Sequence, residues 1–204
     1  MEFIFKYINS KSYYCEIYEN VWLGNYKSAC DTEFMNKIDV VLNCTDSLPF
    51  SFNHIQNHRI SIPEISTTND IKSIESYLEM TSDLIASYLK DNKCILVHCD
   101  NAIQRSCSIV IAYIIKYKDM DLYTATDFLI TKHKFALSPY PYYNIALVNY
   151  EYNINKKNSN SINFIHLHKN IKLILITLLV IYLLYKLLNI MLLNKRTIQS
   201  NKLQ

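Results

Sequence analysis

A cysteine and an arginine separated by five residues, with a hydroxyl after the arginine, form a set able to do phosphoryl chemistry. Here the segment is Cys99-Asp100-Asn101-Ala102-Ile103-Gln104-Arg105-Ser106, preceded by His98. A thiolate is a strong nucleophile, and a guanidinium binds two phosphate oxygens through its planar fork. Five intervening residues suffice to wrap one tetrahedral anion. Backbone N–H groups turned inward would form a nest for it, and a helix starting at Arg105 would add positive potential. The same field favours the thiolate form of Cys99. This set allows attack of the Cys99 thiolate on phosphorus, giving a phosphocysteine that water then cleaves. Asp100, Asn101, Ala102, Ile103, Gln104 and Arg105 would line the anion site.

Such a loop needs a strand to deliver the cysteine and a helix to begin at the arginine. The flanks supply both. Cys94–His98 (Cys-Ile-Leu-Val-His) has the apolar run of a buried strand, and Arg105–Lys116 that of a buried helix. Ligand sites in α/β sheets lie at the carboxyl ends of strands, where Cys99 falls. Further strands are expected at Val21–Leu23, Val40–Asn43 and His58–Ile62. Helices are expected over Asp31–Lys37, over Asp70–Lys90 and over Leu122–Lys132, the last entered from Asp121. The apolar residues of the second recur at helical spacing. A last helix near Tyr142–Tyr152 follows a Ser138-Pro139 turn. Alternating strands and helices predict an α/β domain with a central, mostly parallel sheet flanked by helices.

On these residues the chain resembles the dual-specificity protein tyrosine phosphatases, cysteine-dependent enzymes with a C-x5-R loop. The likeness covers roughly residues 15–153. Asn20–Ala29 (NVWLGNYKSA) is similar to the family's N-terminal strand motif, and Val40–Thr45 (VVLNCT) to its next strand. Cys94–Tyr113 (CILVHCDNAIQRSCSIVIAY) is similar to its signature loop, and Ser138–Glu151 to its closing turn and helix. WLGNYKSA and STTNDI resemble stretches of the small phosphatases encoded by poxviruses. The resemblance implies Cys99 as nucleophile and Arg105 as transition-state clamp. It implies Ser106 as the hydroxyl that bonds the sulfur leaving group, and His98 as the residue that orients the loop. It also implies phosphorylated proteins as substrates, with phosphotyrosine first and phosphoserine or phosphothreonine beside it. The reaction should need no cofactor.

Two positions depart from the family pattern. The family usually has glycine three residues after the nucleophile, where this chain has Ala102. A left-handed backbone there would cost alanine about 1 kcal/mol, unless Asn101 takes the positive φ instead. The leaving oxygen also needs a proton, which the family takes from an aspartate shortly after an Ile-Pro pair. Here Ile62-Pro63 is followed by Glu64, Ile65, Ser66, Thr67, Thr68, Asn69 and Asp70, with no aspartate at the aligned place. Glu64 is one candidate acid and Asp70 the other. Glu64 can equally be a solvated loop charge, and Asp70 the N-cap of the following helix. Loss of the acid costs about 10²–10⁴ in rate. This leaves a second reading open: a catalytically impaired pseudophosphatase that binds phosphoproteins at a membrane. A loop with Asp100 and no lysine argues against polyanionic substrates such as phosphoinositides or RNA.

Leu173–Leu193 spans 21 residues interrupted only by Thr177, Lys186 and Asn189. That is enough apolar length to cross a bilayer, with Lys186 snorkelling. The expected division is a phosphatase-like domain over 1–153, a polar linker over 154–170, a transmembrane helix over 171–193 and a short tail over 194–204. The helix would be a single-pass C-terminal tail anchor. The excess of basic residues before Leu173 (Lys156, Lys157, Lys169, Lys172) would place the domain in the cytosol.

A net charge of +3 with dispersed lysines gives no reason to expect nucleic acid as a partner. Met1–Phe5 leads straight into polar sequence, which is not a signal-peptide pattern. The six cysteines lack paired C-x-x-C spacing, so they are expected as free thiols, not disulfides or a zinc site. Cys94 and Cys107 are expected as exposed thiols able to pair with Cys99. His166 and His168 lack a nearby carboxylate and make a poor metal site. Tyr140, Tyr142 and Tyr143 are expected to pack, not to stack on substrate. The oligomeric state is not legible.

Overall fold

The computed structural model describes residues 11–63, 68–139 and 141–159, with Ile176, Thr177 and Leu179 beyond. Two compact units divide the chain, Met1–Ile154 and Asn155–Gln204. The elements are β1 (Tyr14–Tyr18), β2 (Val21–Gly24), α1 (Thr32–Met35), β3 (Val40–Asn43), β4 (Gln56–Arg59), α2 (Thr68–Lys90), β5 (Ile95–His98), α3 (Arg105–Lys118) and α4 (Leu122–Lys132). A further helix, α5, covers 144–159.

The strands form one mixed sheet in the order β1-β2-β5-β3-β4. The three pairings from β2 to β4 are parallel, and β1 runs antiparallel on the edge. Parallel sheets are buried on both faces, and β3 and β5 are accordingly apolar up to their last residues, Asn43 and His98. Successive side chains point to opposite faces. Val40, Leu42, Ile95 and Val97 therefore join Ile74, Leu78 and Ile85 of α2 and the apolar residues of α3 in one core. Val41 and Leu96 join Phe34, Met35, Ile38 and Ile55 in a second core on the other side. Two helix starts are fixed by aspartates. Asp31 accepts from the Phe34 N–H at 3.1 Å and Asp121 from the Thr124 N–H at 2.7 Å.

Several expectations shift. The fourth strand lies at Gln56–Arg59 rather than His58–Ile62, because the four paired residues of β3 set its register, from Val40↔Gln56 to Asn43↔Arg59. Ile60 and Ile62 are buried beyond the ladder. β1 was not anticipated: in this edge strand only Ile17 is fully buried. α2 starts at Thr68, so Asp70 lies in its first turn and is not its N-cap. A carboxylate there still suits the helix dipole.

All six cysteines are free, as expected, but Cys107 is fully buried and Cys94 half-buried, so neither is the exposed thiol anticipated. Tyr143 is buried while Tyr142 is exposed. Among the described residues no helix is long and apolar enough to cross a membrane. The expected span over 171–193 lies outside the described residues except at Ile176, Thr177 and Leu179, which are helical. His166, His168 and Tyr140 also lie outside them.

Candidate active site

Three parallel strands end side by side: His98 of β5 pairs with Gly24 of β2 and Asn43 of β3. Cys99 follows at once, 3% exposed, and α3 begins six residues on at Arg105. Between them the chain loops back so that Cys99 Sγ lies 3.2 Å from Ser106 Oγ. The nucleophile candidate thus meets the first turn of α3, where unpaired N–H groups and the helix dipole favour negative charge.

The peptides of this loop are oriented by their carbonyls. The His98 oxygen accepts from Cys44 N–H at 2.8 Å and the Asp100 oxygen from Tyr26 N–H at 3.0 Å. The Cys99 oxygen accepts from His98 Nδ1 at 3.3 Å. The Ala102 oxygen accepts from His133 Nε2 at 2.8 Å and from Cys107 Sγ at 3.2 Å. The Ile103 oxygen accepts from Leu137 N–H at 2.8 Å, and the Gln104 oxygen from Ser108 N–H at 2.9 Å. Every one of these oxygens faces the surrounding frame. In a planar trans peptide the N–H of the next residue points the opposite way. The N–H groups of Asp100, Asn101, Ile103 and Arg105 therefore face away from the frame. Among the described residues none of these four donates a hydrogen bond within the chain. Such a set of N–H groups beside a helix start is an anion nest.

Ala102 takes φ = 59°, so alanine, not Asn101, carries the left-handed backbone. It is fully buried. Gln104 ties the far side of the loop, with Nε2 donating to Ser138 O at 3.1 Å and Oε1 accepting from Tyr142 N–H at 3.2 Å. The Asn101 side-chain oxygen is buried without a hydrogen-bond partner.

The electrostatics fit a neutral frame around one anion. Burial pushes the His98 imidazole down to about 4, helped by the Arg59 charge and opposed by the bond to Cys99. A neutral His98 carries its proton on Nδ1, because the Cys99 carbonyl can only accept. Burial, then the neighbouring Cys99, push the Cys44 and Cys107 thiols well above the ordinary range. Both are protonated bystanders, and the Arg105 charge reaches Cys44.

Of the expected site residues, the structure brings together His98, Cys99, the loop from Asp100 to Gln104, Arg105 and Ser106. Asp70 lies in the first turn of α2, and Glu64 lies outside the described residues. Sequence reasoning missed Tyr26, Leu137 and His133, whose contacts with the loop span long stretches of chain. Only Tyr26 carried a signal, inside the WLGNYKSA motif. Among the described residues no group of three or more His, Cys, Asp or Glu is placed to hold a metal.

The model of the family "Dual specificity phosphatase, catalytic domain" matches residues 21–167. The chain is 32% identical over 162 residues to human dual specificity protein phosphatase 16, covering 75% of this chain and 24% of that protein. It is 31% identical over 97 residues to the vaccinia virus dual specificity protein phosphatase OPG106, covering 47% of this chain and 54% of the viral one. The crystal structure of human DUSP28 superposes with a TM-score of 0.62 at 17% identity, covering 70% of this chain and 95% of that one. The chain belongs to the dual specificity protein phosphatase family, and the likeness to the poxvirus members expected from its motifs is present. It spans about a quarter of the human relative and about half of the viral one.

Proposed function

We propose that the chain hydrolyses phosphomonoesters on protein side chains, phosphotyrosine first and phosphoserine or phosphothreonine beside it. The observation that carries this is the loop from Cys99 to Arg105, whose carbonyls are tied outward and whose N–H groups are left for an anion around the Cys99 sulfur. The Arg105 fork would hold two oxygens of the same phosphate. The thiolate attacks phosphorus, the P–O bond to the substrate breaks, and the leaving oxygen takes a proton. Water then attacks the phosphocysteine, the P–S bond breaks, and inorganic phosphate leaves. Ser106 would donate to the departing sulfur, and His98 would hold the Cys99 carbonyl. No step calls for a metal or cofactor.

The proton on the leaving oxygen is assigned to Glu64, with Asp70 as the alternative. Glu64→Gln is expected to cut turnover of a phosphotyrosine peptide by about 10²-fold while leaving an activated aryl phosphate less affected. An equal fall in Asp70→Asn, with Glu64→Gln unchanged, would move the role to Asp70. A phosphate reader without turnover is the competing reading, favoured by the missing aspartate after Ile62-Pro63 and by alanine in the left-handed position. It requires phosphopeptide binding with no phosphate release. We also propose that residues 171–193 attach the chain to a membrane with its phosphatase domain in the cytosol, on their apolar sequence and the lysines that precede it. Release of the protein from membranes by alkaline carbonate would contradict it.

A further inference from the structure

Five non-glycine residues among those described have positive φ. Asn20, Asn92 and Asp119 are of the types that adopt this region at low cost. Ala102 (φ = 59°) and Leu137 (φ = 60°) are not. These two adjoin, since the Leu137 N–H donates to the carbonyl of Ile103, next to Ala102, at 2.8 Å. Costly backbone of this kind persists only where the surroundings over-determine it, and it gathers at working sites.

For Ala102 the surroundings are explicit. Its carbonyl receives His133 Nε2 at 2.8 Å, and the thiol of Cys107, a weak donor, at 3.2 Å. His133 is fully buried, its Nδ1 lies 2.6 Å from the Tyr13 hydroxyl, and the two ring centroids are 4.7 Å apart. A carbonyl oxygen only accepts, so Nε2 carries the proton, and Nδ1 of the neutral ring accepts from Tyr13. Burial lowers the His133 imidazole and raises the Tyr13 phenol, which keeps both neutral. The relay runs from Tyr13 O–H to His133 Nδ1, and from His133 Nε2–H to the Ala102 oxygen. That oxygen fixes the direction of the Ile103 N–H on the same peptide. Tyr13 lies before the stretch that matches the family, so half of this clamp comes from outside it.

We propose that His133, held by Tyr13, is a positioning residue: it clamps the left-handed Ala102 peptide from outside and so aims the Ile103 N–H into the phosphate nest. The clamp does for alanine what the absence of a Cβ does for glycine. It rests on the reading of the loop as a phosphate cradle.

The test uses the full chain with an aryl phosphate, and orthovanadate as an inhibitor resembling the transferring phosphoryl group. His133→Leu removes the donor, whereas His133→Gln keeps an amide N–H near the place of Nε2. Tyr13→Phe removes only the hydroxyl, and serves should His133→Leu fail to fold. Each is made alone and with Ala102→Gly. His133→Leu should lower kcat/KM and weaken orthovanadate about tenfold, the size of one buried hydrogen bond. His133→Gln should stay within about threefold of the parent, and Tyr13→Phe should fall between. In the Ala102→Gly background the cost of His133→Leu or Tyr13→Phe should largely vanish, although the melting temperature still falls. Equal losses in both backgrounds, or no loss in either, would overturn the clamp. Failure of the parent chain to bind orthovanadate at all would instead remove the cradle reading, and the clamp with it.

Discussion

Ser106 Oγ lies 3.2 Å from Cys99 Sγ, and in the proposed mechanism it donates to sulfur when the P–S bond breaks. A hydrogen bond to a charged group contributes about 1.5–3 kcal/mol, so Ser106→Ala should slow the second step about 10–100-fold. The first step should be little changed, giving a burst of phenol release from an aryl phosphate followed by a slow steady state. Rapid-mixing kinetics check this, and loss of the burst together with the steady rate would contradict the role. His98 makes a prediction about pH. Its imidazole is held near 4 when folded, against 6.5 in the free residue. As pH falls below 6.5 the unfolded chain takes the proton first, so this contribution to stability is full above 6.5 and declines until pH reaches about 4. Its size is on the order of 3 kcal/mol. His58 and His133 are shifted in the same direction, so the difference between the parent and His98→Asn isolates this term. Urea midpoints at pH 7 and 4.5 should fall less in the variant, and parallel curves would contradict the assignment.

Gly24 ends β2 beside His98, and a Cβ there would run into Ser28 Oγ and the Leu96 side chain. Ser28 is itself pinned, its hydroxyl donating to Asn25 O at 2.7 Å. Gly24→Ala should therefore cost about 1–3 kcal/mol, lowering the melting temperature by about 2–4 °C per kcal/mol. An unchanged melting temperature would mean the strand end yields easily. The elements that hold the site were the legible ones. β3 lies at Val40–Asn43 and α4 at Leu122–Lys132, where apolar runs and an Asp cap announce them. β1 was hidden because an edge strand buries one face weakly, and β4 because its ends are set by pairing with β3. The site divides the same way. Cys99 to Ser106 is contiguous, so its chemistry could be read from spacing. The bonds from Tyr26 to Asp100, from Leu137 to Ile103 and from His133 to Ala102 join residues far apart in the chain, and no local pattern encodes them. Whether Ala102 or Asn101 would take the positive φ also required the backbone itself.

At the scale of the molecule, a buried β5 flanked by two parallel neighbours delivers Cys99 to the sheet's carboxyl edge, and α3 receives it with Arg105 and Ser106 in its first turn. Fold, loop and family agree on a phosphatase domain, and the loop's tied carbonyls give a physical reason for phosphate to bind there. What the account requires above all is a covalent step at one sulfur. The direct test is phosphate release from a phosphotyrosine peptide by the full chain, with rapid acid quench to trap phosphate on Cys99, beside Cys99→Ser. Release by the parent chain, a trapped phosphocysteine and loss of both in Cys99→Ser are expected. Release that survives Cys99→Ser, or a parent chain that binds the peptide and never turns it over, would contradict the account.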